Sequence, residues 1–90
     1  MFHATREITA PADRSLVLCM EPWTDEFILS PGSIAVISGD SEVEGEIEIE
    51  EKPDLVIAYG WQGSILQVSI DGSSVWEAWA RLPVVGKPAQ

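Results

Sequence analysis

Short apolar runs separated by turn residues are the feature that most limits how this chain can fold. The runs are rich in Ile, Val and Leu, and they are bounded by Pro, Gly and Asp. They recur roughly every 10 residues, a spacing typical of a sandwich or barrel, and no gap leaves room for crossover helices. The sequence therefore predicts an all-β fold, a small antiparallel sandwich or barrel of about seven strands with at most one short helix.

Each predicted strand is an apolar, mainly β-branched run between two turn signals. The predicted strands are Arg6–Thr9, Ser15–Met20, Glu26–Ser30, Ser33–Ser38, Val43–Glu51, Leu55–Tyr59, Ser64–Ile70 and Val75–Trp79. A chain of 90 residues is long enough for a single β domain, residues 1–90. Residues 1–10 and 83–90 are candidates for mobile termini.

Two turn sequences indicate which strands are neighbours. Pro31-Gly32 fits a type II turn, because proline fixes φ and glycine supplies a positive φ, so the strands on either side are expected to pair. Asp71-Gly72 fits a two-residue type I′ turn, which requires positive φ twice, and predicts a tight hairpin. The competing interpretation is a short helix over residues 75–82. The preference of Val and Trp for strands favours the hairpin.

The same hairpin predicts where two tryptophans lie. With two turn residues, Gln67 faces Trp76, which directs Trp76 and Trp79 to opposite sides of the sheet. The polar neighbours of Trp76 favour the outer side for this residue. An outward tryptophan either binds a ligand or anchors a subunit contact.

The predicted strand Val43–Glu51 has an acidic side. Because side chains alternate along a strand, four carboxylates share one face: Glu44, Glu46, Glu48 and Glu50. Such a row could attract a hard cation or a basic partner, but a flat strand offers ligands from one direction only. We interpret the row as a solvated face or as protection of a sheet edge, and we predict no metal site.

Charge and residue counts exclude several classes of function. Fifteen acidic residues against five basic ones give a net charge of −10, which repels nucleic-acid phosphates and anionic membranes. His3 is the single histidine, so a site with several imidazole ligands is excluded, and no cofactor is predicted. We interpret Cys19, the single cysteine, as a buried small hydrophobic residue. With one cysteine and no secretory signal pattern at the N-terminus, we expect a cytoplasmic protein.

Glu21-Pro22-Trp23 places a carboxylate beside an aromatic ring. The segment Glu21–Phe27 (EPWTDEF) resembles a stretch of short bacterial proteins of unknown function, and the resemblance implies no activity. A lone carboxylate without a base, nucleophile or metal does not support catalysis, so no catalytic residue is predicted. The candidate ligand-binding residues are Glu21, Trp23, Trp61 and Trp76.

Several predicted strands are apolar on both sides, as in Ser15–Met20, although a sheet with one solvated face should alternate cleanly. Either the termini cover the second side or a homodimer does, and the short chain favours the dimer, with Trp76 in the contact. We therefore expect a non-enzymatic protein-interaction or binding module that forms a homodimer or binds another protein. The alternative is a small-ligand or carbohydrate-binding β-sandwich that uses Trp61, Trp76 and Glu21.

Overall fold

The computed structural model describes residues 1–84 and confirms the all-β fold. Within that range there are eight strands and no helix. The strands are β1 (Phe2–Thr9), β2 (Leu16–Glu21), β3 (Asp25–Leu29), β4 (Ile34–Ser41), β5 (Glu48–Glu51), β6 (Leu55–Tyr59), β7 (Ile65–Ile70) and β8 (Ser73–Glu77). The hairpin interpretation of the last strand is therefore confirmed, and the short helix over residues 75–82 is wrong.

The strands form two four-stranded sheets that pack together as a sandwich. The first sheet has the order β1-β4-β7-β8 and is antiparallel throughout. The second has the order β3-β2-β6-β5, in which β2 and β6 are parallel. A parallel pair cannot be joined by a tight turn, and here the chain crosses to β4 in the first sheet before it returns. No helix in residues 1–84 is long and apolar enough to cross a membrane.

The core lies between the two sheets and is built from alternate residues of the central strands. Side chains with no exposed surface come from both sheets and include Leu18, Met20, Ile37 and Leu66. Their sequence neighbours along each strand point outward, as the two-residue period of a strand requires. One continuous core therefore holds the sheets together.

The predicted pairing across Pro31-Gly32 is wrong. Gly32 has the expected positive φ of 77°, and the Ser33 amide donates to the Ser30 carbonyl at 2.9 Å, so the chain does reverse there. However, β3 pairs with β2, whereas β4 pairs with β1 and β7. The turn leads from one sheet into the other, because turn chemistry sets a local reversal and not the identity of the paired strands.

The predicted turn at Asp71-Gly72 is confirmed, with φ of 49° and 87°. The register beyond it is wrong by one residue, since a β-bulge places Trp76 opposite Val68. One extra residue moves every later side chain to the other side of a strand. Trp76 therefore points toward the core and not to the outer side.

The predicted long acidic strand is interrupted. Only Glu48–Glu51 pairs as β5, and residues 42–47 are irregular, so Glu44 and Glu46 do not continue a row along one strand. The irregular segment is held by the Trp61 indole, whose Nε1–H donates to the Val43 carbonyl at 2.7 Å. Strand β5 lies at an edge of its sheet, where exposed carboxylates protect against aggregation.

The structure describes the whole of the N-terminal segment 1–10 but only part of the C-terminal segment 83–90. Residues 1–10, considered above as a mobile terminus, contain strand β1, which pairs with β4 over eight positions. Of the candidate C-terminal segment 83–90, residues 85–90 lie outside the described range.

The turn predicts a specific stability difference. Gly72→Ala should lower the free energy of unfolding by about 1 kcal/mol, because alanine is disfavoured at positive φ. Gly72→Asn should cost less, because asparagine tolerates the left-handed region. Urea unfolding of the three proteins measures both changes. Equal stability of the wild type and Gly72→Ala would contradict the turn geometry.

Candidate functional site

Two of the predicted site tryptophans form an aromatic cluster that closes one side of the sandwich. The ring centroids of Trp23 and Trp76 lie 5.7 Å apart in an edge-to-face arrangement, and Phe27 lies 6.0 Å from Trp76. The Trp23 Nε1–H donates to the Ala80 carbonyl at 2.9 Å, and the Trp76 Nε1–H donates to Asp25 Oδ2 at 3.0 Å. Trp23 is buried, and both indole N–H groups are used inside the protein.

The other two predicted site residues lie elsewhere. Trp61 packs over the irregular segment, where its indole occupies the space that a side chain at Gly45 would need. Glu21 ends β2 and accepts a hydrogen bond from the Cys19 thiol, with an Sγ to Oε2 distance of 3.3 Å. The structure therefore brings Trp23 and Trp76 together but does not gather all four residues around one cleft.

Two clefts on the described surface are lined by other residues. The larger, about 460 Å³, lies between β1 and the irregular segment and is spanned by Arg6, whose Nη1 donates to the Ile47 carbonyl at 3.0 Å. The smaller, about 290 Å³, is lined partly by Arg81. The guanidinium of Arg81 is already bonded to Asp40 and to the Gly63 carbonyl. Among residues 1–84, no group of three or more metal-ligating side chains is assembled.

The outer side of the second sheet carries an apolar surface. The strand registers place outward-facing side chains of β3, β2 and β6 next to one another. We call this surface the outer apolar face and define it by Val17, Cys19, Ile28, Leu55 and Ile57. Ile28 is 75% exposed, whereas Cys19 is covered by its neighbours.

Carboxylates surround this face. In the same registers, Glu26 lies opposite Cys19, and Glu50 lies opposite Ile57. We define the acidic rim as Glu21, Glu26, Glu48 and Glu50. The nearby Lys52 is already within 3.9 Å of a Glu50 carboxylate oxygen. The rim therefore keeps an excess of negative charge.

The pKa values of Cys19 and Tyr59 are both raised, in part by these carboxylates. Burial, the hydrogen bond to Glu21 and the neighbouring carboxylates raise the pKa of the Cys19 thiol to about 11. The Tyr59 hydroxyl donates to Glu50 Oε1 at 2.7 Å, and this hydrogen bond is the largest cause that raises the Tyr59 pKa. A thiol with so high a pKa is a poor nucleophile at neutral pH.

Sequence reasoning identified Glu21, Glu48 and Glu50 of the acidic rim but only part of the outer apolar face. The available signal was the two-sided apolar character of Ser15–Met20, where Val17 and Cys19 alternate with core residues. Ile28 and Leu55 could not be added to them from the sequence, because β2 pairs with β3 on one side and with β6 on the other only in the folded sheet.

Comparison of the chain with protein-family models, with curated proteins and with solved structures found no match. The resemblance of Glu21–Phe27 to short bacterial proteins therefore stays a prediction.

The aromatic cluster predicts unequal effects of two similar substitutions. Trp76→Ala should lower the free energy of unfolding by about 3 kcal/mol, because it leaves a cavity and an unpaired Asp25. Trp79→Ala should change it by less than about 0.5 kcal/mol, because Trp79 is 78% exposed. Chemical unfolding measures both values. Similar losses for the two variants would contradict the packing of Trp76 against the core.

The Cys19 environment predicts a pH dependence. Alkylation by iodoacetamide should follow a pKa near 11, and Glu21→Ala should move it toward the ordinary value of 9.0. Because the folded thiol ionises at higher pH than the unfolded one, its contribution to stability is complete below pH 9.0 and is lost as pH rises to about 11. An alkylation pKa at or below 9.0 would contradict this environment.

Proposed function

We propose that the protein is a non-enzymatic protein-interaction module that binds its partner through the outer apolar face. The observation that carries this proposal is the cluster of apolar side chains on the solvent side of the second sheet, with Ile28 at its most exposed point. Its single cysteine suits a reducing compartment, so we expect the module to act in the cytoplasm.

The position of the face supports binding. Parallel strands that are apolar on both sides are normally covered on both, whereas β2 and β6 leave Val17, Leu55 and Ile57 on the solvent side. These two strands are the central pair of their sheet. Apolar residues in the centre and charged residues at the periphery are the arrangement found in protein interfaces. Contiguous exposed apolar surface marks interaction sites in soluble proteins.

The acidic rim determines the chemistry of the partner. A complementary surface has apolar residues at its centre and Lys or Arg around them, because charge complementarity speeds encounter and fixes orientation. A second copy of this chain would bring its own rim carboxylates against Glu21 and Glu26. The proposed partner is therefore a different, cationic protein or segment.

Binding of a sugar or small ligand by the tryptophans has less support. The indole N–H groups of Trp23, Trp61 and Trp76 all donate to acceptors within the protein. These rings are therefore held by internal hydrogen bonds instead of offering a donor to a ligand. Catalysis also has less support, because the Cys19 thiol stays protonated at neutral pH.

Selection from a random peptide display library tests the proposal. Enriched peptides should combine apolar residues with Lys or Arg, and their binding should weaken as salt rises. Ile28→Asp should reduce affinity at least about tenfold, a loss of roughly 1.4 kcal/mol. Ile34→Asp is the matched control, because Ile34 is also exposed but begins a strand of the first sheet. Calorimetry on the selected peptides measures these affinities.

Two results would contradict the proposal. The first is the absence of any enriched peptide, or enrichment of acidic ones. The second is equal binding by the wild type and Ile28→Asp. Unfolding curves for both aspartate variants serve as the control that the fold is retained.

A further inference from the structure

We propose that two copies of the chain pair through antiparallel β1 strands, which joins their first sheets into one continuous sheet. This inference is independent of the proposed function, because it concerns the opposite sheet. The sequence predicts a contact between copies through Trp76. We propose β1 for that contact instead, because the Trp76 indole lies within the aromatic cluster.

Strand β1 differs from the other three edges of the sandwich. The edge strands β5 and β3 are only four and five residues long, and both start with a carboxylate residue and carry at least one more. The edge β8 carries the bulge. These are the features that prevent an edge from accepting another strand. By contrast, β1 is eight residues long, pairs with β4 without a register shift and contains no proline, and its charged core-side residue, Arg6, is bonded to the Ile47 carbonyl.

The edge of β1 is also accessible. The cleft of about 460 Å³ runs beside residues 3–6 of this strand, between it and residues 44–47. The irregular segment forms the far wall of this cleft and is held to β1 by the bond from Arg6 to the Ile47 carbonyl, so a second strand would enter between the two.

Only some registers are compatible with a two-fold pairing. Because the core side of one copy must continue as the core side of the other, core-side residues of β1 must oppose core-side residues. The pairing centred on Thr5 meets this condition, with Thr5 opposite the partner's Thr5 and His3 opposite the partner's Glu7. The next register that meets the condition is centred on Arg6 and would place this residue opposite the partner's Arg6.

The register centred on Thr5 is chemically self-complementary. His3, Thr5 and Glu7 are all exposed on the outer side of the first sheet. A ring N–H of His3 can donate to the partner's Glu7 carboxylate in either protonation state. By symmetry this pair forms twice, and the two threonines form a favourable cross-strand pair at the axis. On the core side, the half-exposed Phe2 faces the partner's Ile8.

Repulsion opposes the proposed dimer, because each copy carries a charge of −10. The charged positions within the paired stretch are of mixed sign, but Glu44 and Glu46 line the cleft beside it, so the dimer should tighten as salt rises. Both outer apolar faces stay free, so the dimer would present two binding surfaces and gain avidity for a repeated partner.

An aspartate placed on β1 tests the pairing. Thr5→Asp should weaken the dimer at least about tenfold, because it puts two carboxylates directly opposite each other. Thr9→Asp is the matched control, since Thr9 lies on the same side of β1 but beyond the paired stretch. Sedimentation equilibrium from micromolar to several hundred micromolar protein measures the dissociation constants. A wild type that stays monomeric over that range overturns the proposal.

A charge exchange tests the register with the composition unchanged. His3→Glu alone should weaken the dimer, because it opposes two carboxylates. The double variant His3→Glu with Glu7→His should restore most of the affinity, because each pair is re-formed in reverse. Both variants keep Thr5, so they remain informative if Thr5→Asp fails to fold. A dimer that is insensitive to His3→Glu, or not restored by the double variant, overturns the register.

Discussion

The edge-to-face contact between Trp23 and Trp76 fixes how the two sheets meet at the edge of the sandwich where β8 lies. It joins the segment between β2 and β3 in the second sheet to β8 of the first, and Phe27 extends it into the core. The Trp76 Nε1–H donates to Asp25, so this partly buried polar group has a partner within the protein. Aromatic pairs of this kind contribute about 0.5–1.5 kcal/mol beyond their burial. The aromatic cluster closes the side of the sandwich at β3 and β8. On the opposite side, Arg6 of β1 bonds to the Ile47 carbonyl.

The use of tryptophan inside the sandwich changes where exposed apolar surface is found. Trp23, Trp61 and Trp76 hold strands and an irregular segment in place, and their donors are occupied within the protein. The apolar surface left to solvent is aliphatic and lies on β3, β2 and β6. An aliphatic centre with carboxylates around it suits a protein surface better than a sugar ring. The recognition chemistry therefore comes from the outer sheet face and not from the aromatic residues.

Local features of this fold could be predicted from the sequence, but long-range pairings could not. Asp71-Gly72 predicts its turn because the required backbone angles depend on these two residues. The bulge beyond the turn has no such local signal, and it reverses the predicted side of Trp76. Pro31-Gly32 predicts a reversal but cannot encode that the chain changes sheets. The alternating pattern of Val43–Glu51 predicts one long strand, but only Glu48–Glu51 pairs, and the Trp61 ring packs against Gly45 in the irregular segment before it.

Hydrogen exchange of the indole N–H groups tests most directly the claim that the tryptophans are structural. The Nε1–H signals of Trp23, Trp61 and Trp76 should exchange slowly, since each donates to a protein acceptor at 2.7–3.0 Å. The Nε1–H of the exposed Trp79 should exchange at a rate close to that of a free peptide. NMR spectroscopy in D₂O separates the four signals. An exchange rate for Trp76 as fast as that of Trp79 would contradict the account.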